Sequence, residues 1–220
     1  MSGKVKEVKE TKEAMKAKAR AKWQKKVLKR LKKGNYRFVH DKLKNENQDS
    51  AQRKKWNETQ KPFAIVLSCA DSRVVPELTF DTGLGELFVV RVAGNVANTD
   101  SIASIEYAVA VLKCEVIVVL GHEGCGAVGA AMDGNDMGYN LNHLLVNILP
   151  AVKACGCGAP KDNVIVENAL HAANELTDRS EIISDAVKGS RLKIHTGYYH
   201  LESGKVEFNK KSPCREKKDK

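Results

Sequence analysis

Nowhere in these 220 residues does an apolar run approach the roughly 18 residues a membrane span requires. The N-terminus has neither an apolar stretch nor a small-residue cleavage site. That pattern excludes a secretory signal and makes the cytoplasm the expected location. No internal repeat is evident. The six cysteines, Cys69, Cys114, Cys125, Cys155, Cys157 and Cys214, lack the framework spacing of a small secreted domain. They are expected to be core, metal-binding or reactive thiols. Cys114 ends an apolar-periodic helix and reads as core, whereas Cys214 lies in a polar tail. Cys155 and Cys157 form a C-x-C in "ACGCGAP", and no second half with metal-ligand spacing follows it.

What is abundant is charge, unevenly placed. The formal net charge is +10, yet residues 1–61 carry 21 Lys/Arg against 7 Asp/Glu, a net +14, and the remainder is −4. A basic arm therefore precedes a mildly acidic body. Basic arms can bind nucleic acid or anionic membrane. The plainer expectation is a solvated helix whose lysines maintain solubility, with nucleic acid unlikely as a partner. Residues 4–33 contain neither proline nor glycine, and Gly34-Asn35 make a plausible stop. Met15, Ala19, Trp23, Val27 and Leu31 recur every fourth residue. A stripe that narrow must pack on something else, including a partner subunit. Three segments follow: a basic helical arm at 1–35, a body at 36–212, and a polar basic tail at 213–220.

From Pro62 the pattern changes to strands alternating with helices. "FAIVL" (63–67), "LFVVRV" (87–92) and "VIVVL" (116–120) are continuous apolar runs, as expected of parallel strands buried on both faces. "SIASIEYAVAVLK" between the last two has helical spacing and makes a βαβ crossover. Further helical patterns lie near 125–132, 140–154, 162–178 and 180–188. "RLKIHTGYYHLESGKVEF" closes the chain as a hairpin turning at Ser203-Gly204. The expected fold is α/β: a mainly parallel sheet flanked by helices, with a C-terminal antiparallel strand and an N-terminal helical arm. Ligands are expected at the carboxyl ends of its strands.

Two residue clusters fall there. In "VLSCADSRVVPE" Cys69, Asp71 and Arg73 alternate, so they converge if the chain stays extended. A thiol, a carboxylate and a guanidinium together suit a metal and a charged pair better than packing. In "GHEGCGAVG" His122 and Cys125 follow the third strand. Cys69, His122 and Cys125 make a Cys2His set with a fourth position for water or another group. Soft thiolates with an imidazole select zinc over magnesium or calcium. Gly124, Gly126 and Gly129 also spell a dinucleotide G-x-G-x-x-G, but residues 140–154 lack the strand and acidic residue that fingerprint needs. The glycines are better explained by the turn that brings Cys125 to the metal.

"CADSRVVPE", "GELFVVRVAGN", "SIEYAV" and "VIVVLGHEGCGAV" together resemble the β-class carbonic anhydrases, from about Pro62 to Phe208. The resemblance implies one zinc ion per chain on Cys69, His122 and Cys125, activating water for the reversible hydration of CO2 to bicarbonate and a proton. It also implies a dimer or dimer of dimers, with N-terminal helices clasping a partner subunit. Asp71 has two roles open to it: accepting the hydrogen of the attacking hydroxide, or ligating zinc itself and closing the site. Arg73, by pairing with Asp71, decides between them. Val92 stands where many members have an asparagine, and Thr82 where some have a glutamine near the substrate. Hydrolysis of carbonyl sulfide or carbon disulfide at the same site is therefore the alternative. Val66 occupies the position of a tryptophan found in bicarbonate-regulated members, which points away from that regulation.

The remaining chemistry-bearing residues read as structural. His40, His143, His171, His195 and His200 are scattered, and Tyr107, Tyr198 and Tyr199 suit packing or an interface. Trp23 and Trp56 are expected to anchor the N-terminal arm.

Overall fold

The computed structural model describes residues 2–214, with side chains from residue 13 onward. Residues 215–220, most of the expected polar tail, lie outside it. In chain order the helices are α1 (Ser2–Val39), α2 (Ser50–Lys55), α3 (Pro76–Thr79), α4 (Thr99–Ala110), α5 (Gly126–Asp133), α6 (Tyr139–Leu145), α7 (Leu149–Cys155), α8 (Lys161–Asp178) and α9 (Glu181–Lys188). The strands are β1 (Ala64–Ser68), β2 (Leu87–Arg91), β3 (Val116–His122), β4 (Lys193–Tyr199) and β5 (Val206–Phe208).

They form one sheet in the order β2-β1-β3-β4-β5, the first four parallel and β5 antiparallel to β4. β1 and β3 run through its middle and are buried along their whole length. Alternate residues serve opposite faces, as strand geometry requires. Ile65, Leu67, Ile117 and Val119 pack beneath α4, α8 and α9 with Ile105, Leu176 and Ile183. Ala64, Val66, Val116 and Val118 face the other way, against Val27 and Leu31 of α1 and Phe80. Crossover helix α4 starts on Asn98, whose side chain accepts from Ser101 N at 3.0 Å. Among the described residues no helix is long and apolar enough to cross a membrane.

Several expectations change. α1 does not stop at Gly34 but runs on to Val39. Gly34 is required by proximity instead, since a Cβ there would overlap the Phe80 carbonyl. Asn35, 5% exposed, is likewise interior: Nδ2 donates to Gly204 O at 2.8 Å and Thr79 O at 3.3 Å, and Oδ1 accepts from Val206 N at 2.8 Å. The α1 stripe divides. Val27 and Leu31 are buried on the sheet, while Met15 (70%) and Trp23 (41%) remain exposed, so Trp23 is not the buried anchor expected of it. Trp56 lies against Gly85, which has φ +75° and no room for a side chain.

β2 is an edge strand and only half-buried, unlike the other two apolar runs. The single helix expected at 140–154 is two, α6 and α7, with Pro150 in the first turn of α7. A proline lacks the N–H a continuous helix would need at that point, so it starts the second helix. Cys155 and Cys214, expected among core, metal-binding or reactive thiols, instead form a disulfide across 59 residues with Cα atoms 4.7 Å apart. Local spacing carries no trace of such a distant pairing. Cys157 remains free and exposed, and Cys114 is buried as expected, its thiol donating to Pro62 O at 3.3 Å.

Candidate metal centre and active site

β1 and β3 are neighbours, so the residues that follow them emerge side by side at the carboxyl edge. Cys69 comes directly after β1, His122 ends β3, and Cys125 caps the N-terminus of α5. The turn from His122 to Cys125 passes through Gly124 at φ +65°, where a glycine avoids the left-handed penalty. Gly126 and Gly129 have ordinary φ angles, and a Cβ on Gly126 would meet nothing within 4 Å. Only the first glycine of that motif thus shapes the turn.

The two sulfurs and one ring nitrogen lie within 4.8 Å of one another. Cys69, His122 and Cys125 are all buried, with His122 at 0% exposure. His122 Nδ1 sits 2.9 Å from Glu123 O, a carbonyl that can only accept, so the proton resides on Nδ1. Nε2 is left as a buried lone pair with no hydrogen-bond partner. A buried acceptor without a partner is costly, and a cation beside the two sulfurs would relieve it. The cysteines share a proton in the metal-free chain. Cys69 is brought down to about 4, chiefly by the hydrogen bond from Cys125 and further by the Asp71 and Gly94 backbone amides, against the opposing effect of burial. Cys125 is pushed up by that same bond and by burial. Two thiolates and a neutral imidazole are the donor set of a soft, tetrahedral cation.

Asp71 stands beside this set, its Oδ2 4.0 Å from His122 Nε2. Arg73 grips it at both oxygens: Nε donates to Oδ1 at 3.0 Å and a terminal nitrogen to Oδ2 at 2.8 Å, with the Arg73 amide on Oδ1 at 3.0 Å. This forked contact holds the Asp71 carboxyl well below the usual range. Of the departures noted in sequence, Thr82 is withdrawn, while Val92 packs against the cluster that holds Cys69 and Cys125. Thr82 is buried and donates to Glu77 O at 3.2 Å, and Val92 also packs among core residues.

Sequence reading missed two supporting residues. Arg91 donates to Cys69 O at 3.0 Å and Asp71 O at 2.6 Å, fixing the loop that carries both. Asn168 of α8, 1% exposed, donates to Gly94 O at 2.8 Å, and Gly94 N in turn points at Cys69 Sγ at 3.3 Å. Asn168 has no local signature. Arg91, a charge closing an apolar strand, was the available hint.

Residues 64–206 match the carbonic anhydrase family model. The chain belongs to the β-class carbonic anhydrases. Carbonic anhydrase 2 of Mycobacterium tuberculosis is 39% identical over 184 residues, 81% of this chain and 89% of that protein. The carbonic anhydrase of Mycolicibacterium smegmatis is 39% identical over 186 residues, 82% and 90% of the two chains. Among solved structures, the Coccomyxa β-carbonic anhydrase in complex with acetazolamide superposes with a TM-score of 0.64 at 27% identity, covering 72% of this chain and 77% of that one. The family match encloses every residue of the site, from Cys69 to Cys125, as well as Arg91 and Asn168. It omits α1 altogether.

Proposed function

We propose that this β-class carbonic anhydrase hydrates CO2 reversibly to bicarbonate and a proton, with one zinc ion per chain held by Cys69, His122 and Cys125. The carrying observation is the buried Cys2His set whose His122 Nε2 has no other partner, next to an Arg73-clamped Asp71. Zinc bound there would supply the Lewis acidity that makes water nucleophilic near neutral pH.

The chain's own groups do the rest. Asp71, an ionised carboxylate and so an acceptor only, accepts a hydrogen bond from the attacking oxygen and so turns that oxygen's lone pair towards the carbon of CO2. Arg73 occupies both Asp71 oxygens, which favours the hydrogen-accepting role over direct metal ligation. Arg91 keeps the Cys69–Asp71 backbone in register while this happens. The apolar residues around the ligands, Val96, Val128 and Ile148, limit access to small, weakly hydrated molecules, and CO2 is one.

We further propose that the working unit is a homodimer or dimer of dimers. The half-buried edge strand β2 and the exposed Met15 and Trp23 of α1 are the unpaired surfaces that support it.

The test joins metal analysis to stopped-flow CO2 hydration. The wild-type chain should carry about one zinc and be active, and Cys69→Ala and Cys125→Ala should lose both metal and activity. Full zinc in both variants would overturn the ligand set. Zinc without hydration, accompanied by hydrogen sulfide release from carbonyl sulfide, would overturn the substrate.

A further inference from the structure

We propose that the Cys155–Cys214 disulfide is a thiol–disulfide exchange site whose co-substrate is a dithiol, and that it locks a C-terminal strap, residues 209–214, onto the protein. Neither the metal centre nor the proposed hydration reaction uses these cysteines.

The strap begins at Asn209, fixed to β4 through its amide on Thr196 O at 2.8 Å. Beyond it, Lys210 pairs with Glu207 at 2.8 Å and Ser212 hydrogen-bonds Glu167. Cys214, 9% exposed, then joins Cys155 at the end of α7. That link is the one disulfide among the described residues. In this position the strap walls a cavity of about 270 Å3 lined by Glu123, Asp162, Tyr198, His200, Lys210 and Pro213. Glu123 is also the residue whose carbonyl orients His122. The lock therefore closes the protein behind a metal ligand.

The two sulfurs differ in access. Cys214 is buried, whereas Cys155 is only half-buried and sits in "ACGCGAP", a glycine loop on the surface. A Cβ added to Gly156 or Gly158 would meet nothing within 4 Å, so the loop beside the half-buried Cys155 is uncrowded. A thiolate of the dithiol attacks Cys155 Sγ, forming a mixed disulfide as the Cys155–Cys214 bond breaks. Cys214 leaves as a thiolate and takes a proton. The second thiol of the dithiol then displaces Cys155. Two electrons and two protons pass to the protein, which holds two thiols, and the dithiol becomes its own disulfide. The strap, released at Cys214, is left to polar ties such as Lys210 to Glu207 and Ser212 to Glu167, for which water competes, and it opens about Asn209 more readily.

The experiment is peptide mapping after alkylation under non-reducing conditions, followed by tryptic digestion of the folded protein with and without dithiothreitol. The linked Cys155–Cys214 peptide should appear with Cys157 alkylated. Dithiothreitol should break the link in the folded chain and speed cleavage after Lys210 or Lys211 by about tenfold or more, because cleavage follows the population of the opened strap. Cys155→Ser and Cys214→Ser should each show that faster cleavage without reductant, and Cys157→Ser should behave as wild type. Any of three results would overturn the proposal: alkylation of Cys155, Cys157 and Cys214 alike in the native protein, a link that dithiothreitol reaches only after denaturation, or an unchanged cleavage rate once the link is gone.

Discussion

Arg73 is the residue on which the proposed chemistry turns, and it bears no atom suited to zinc. Arg73→Ala should therefore leave the metal bound while Asp71 loses the partner that holds both its oxygens. Arg73 is largely exposed, so solvent screens the pair and the loss is mainly one of geometry. Hydration should fall by about 10- to 100-fold, as expected for a misplaced positioning group. Metal-edge X-ray absorption should then show a carboxylate oxygen joining the Cys2His set. Asp71→Asn should also be slow but without that change in coordination. An Arg73→Ala enzyme near wild-type rate would show that the clamp is irrelevant. These residues were legible because two short strings carry them at the ends of strands, although the chain turns at Ser72 and Arg73 instead of staying extended as the alternation assumed. Arg91 and Asn168 were not legible. Both act through backbone atoms of residues 20 or more positions away, and such a partnership leaves no local pattern.

Elements were legible where periodicity was strong, and less so at their ends. The two central strands and α8 follow directly from their apolar spacing. The end of α1 was misplaced because Gly34 carries the composition of a stop but serves a close approach. Gly34→Ala tests this: helix propensity alone would favour alanine by up to about 1 kcal/mol, whereas overlap with the Phe80 carbonyl should cost about 1–3 kcal/mol. A thermal melt should show a lower Tm. Leu31→Ala, on the same face, should cost about 2–5 kcal/mol, since its side chain is wholly buried. The join between β5 and the strap offers a pH test. Glu207 is held down to about 2, first by Lys210, below its ordinary 4.5. A carboxylate depressed on folding stabilises above its unfolded value and loses that contribution as pH falls through the folded one. Thermal melts of wild type and Glu207→Gln should thus diverge above about pH 4.5 and converge towards pH 2. The gap will be modest, because the side chain is about a third exposed. Parallel curves across that range would remove Glu207 as a stabilising group.

At the scale of the whole molecule, the α/β class and the carboxyl-edge site could be read from strand and helix alternation. The disulfide could not, and neither could the division of the α1 stripe, since both depend on which surfaces meet in three dimensions. That division predicts assembly. Light scattering should give a dimer or larger for the full chain, and deletion of residues 2–22 should shift it towards monomer while sparing Gln24, which is buried beside Ser190. A fully active monomer of the intact chain at assay concentration would refute the oligomeric reading. Asn35 has a consequence for the order in which the protein is made. Its side chain joins α1 to Gly204 and Val206, about 170 residues later. A ribosome releases α1 well before those partners, so for that interval the helix lacks the two shortest bonds that seat Asn35. Val27 and Leu31 can settle on β1, β3 and Phe80 before the closing hairpin exists, but a chain cut short before Gly204 would leave the Asn35 side chain only its 3.3 Å bond to Thr79 O out of three. Asn35 thereby acts as a late clasp: a helix already laid on the sheet is fastened only when the last hairpin closes over it.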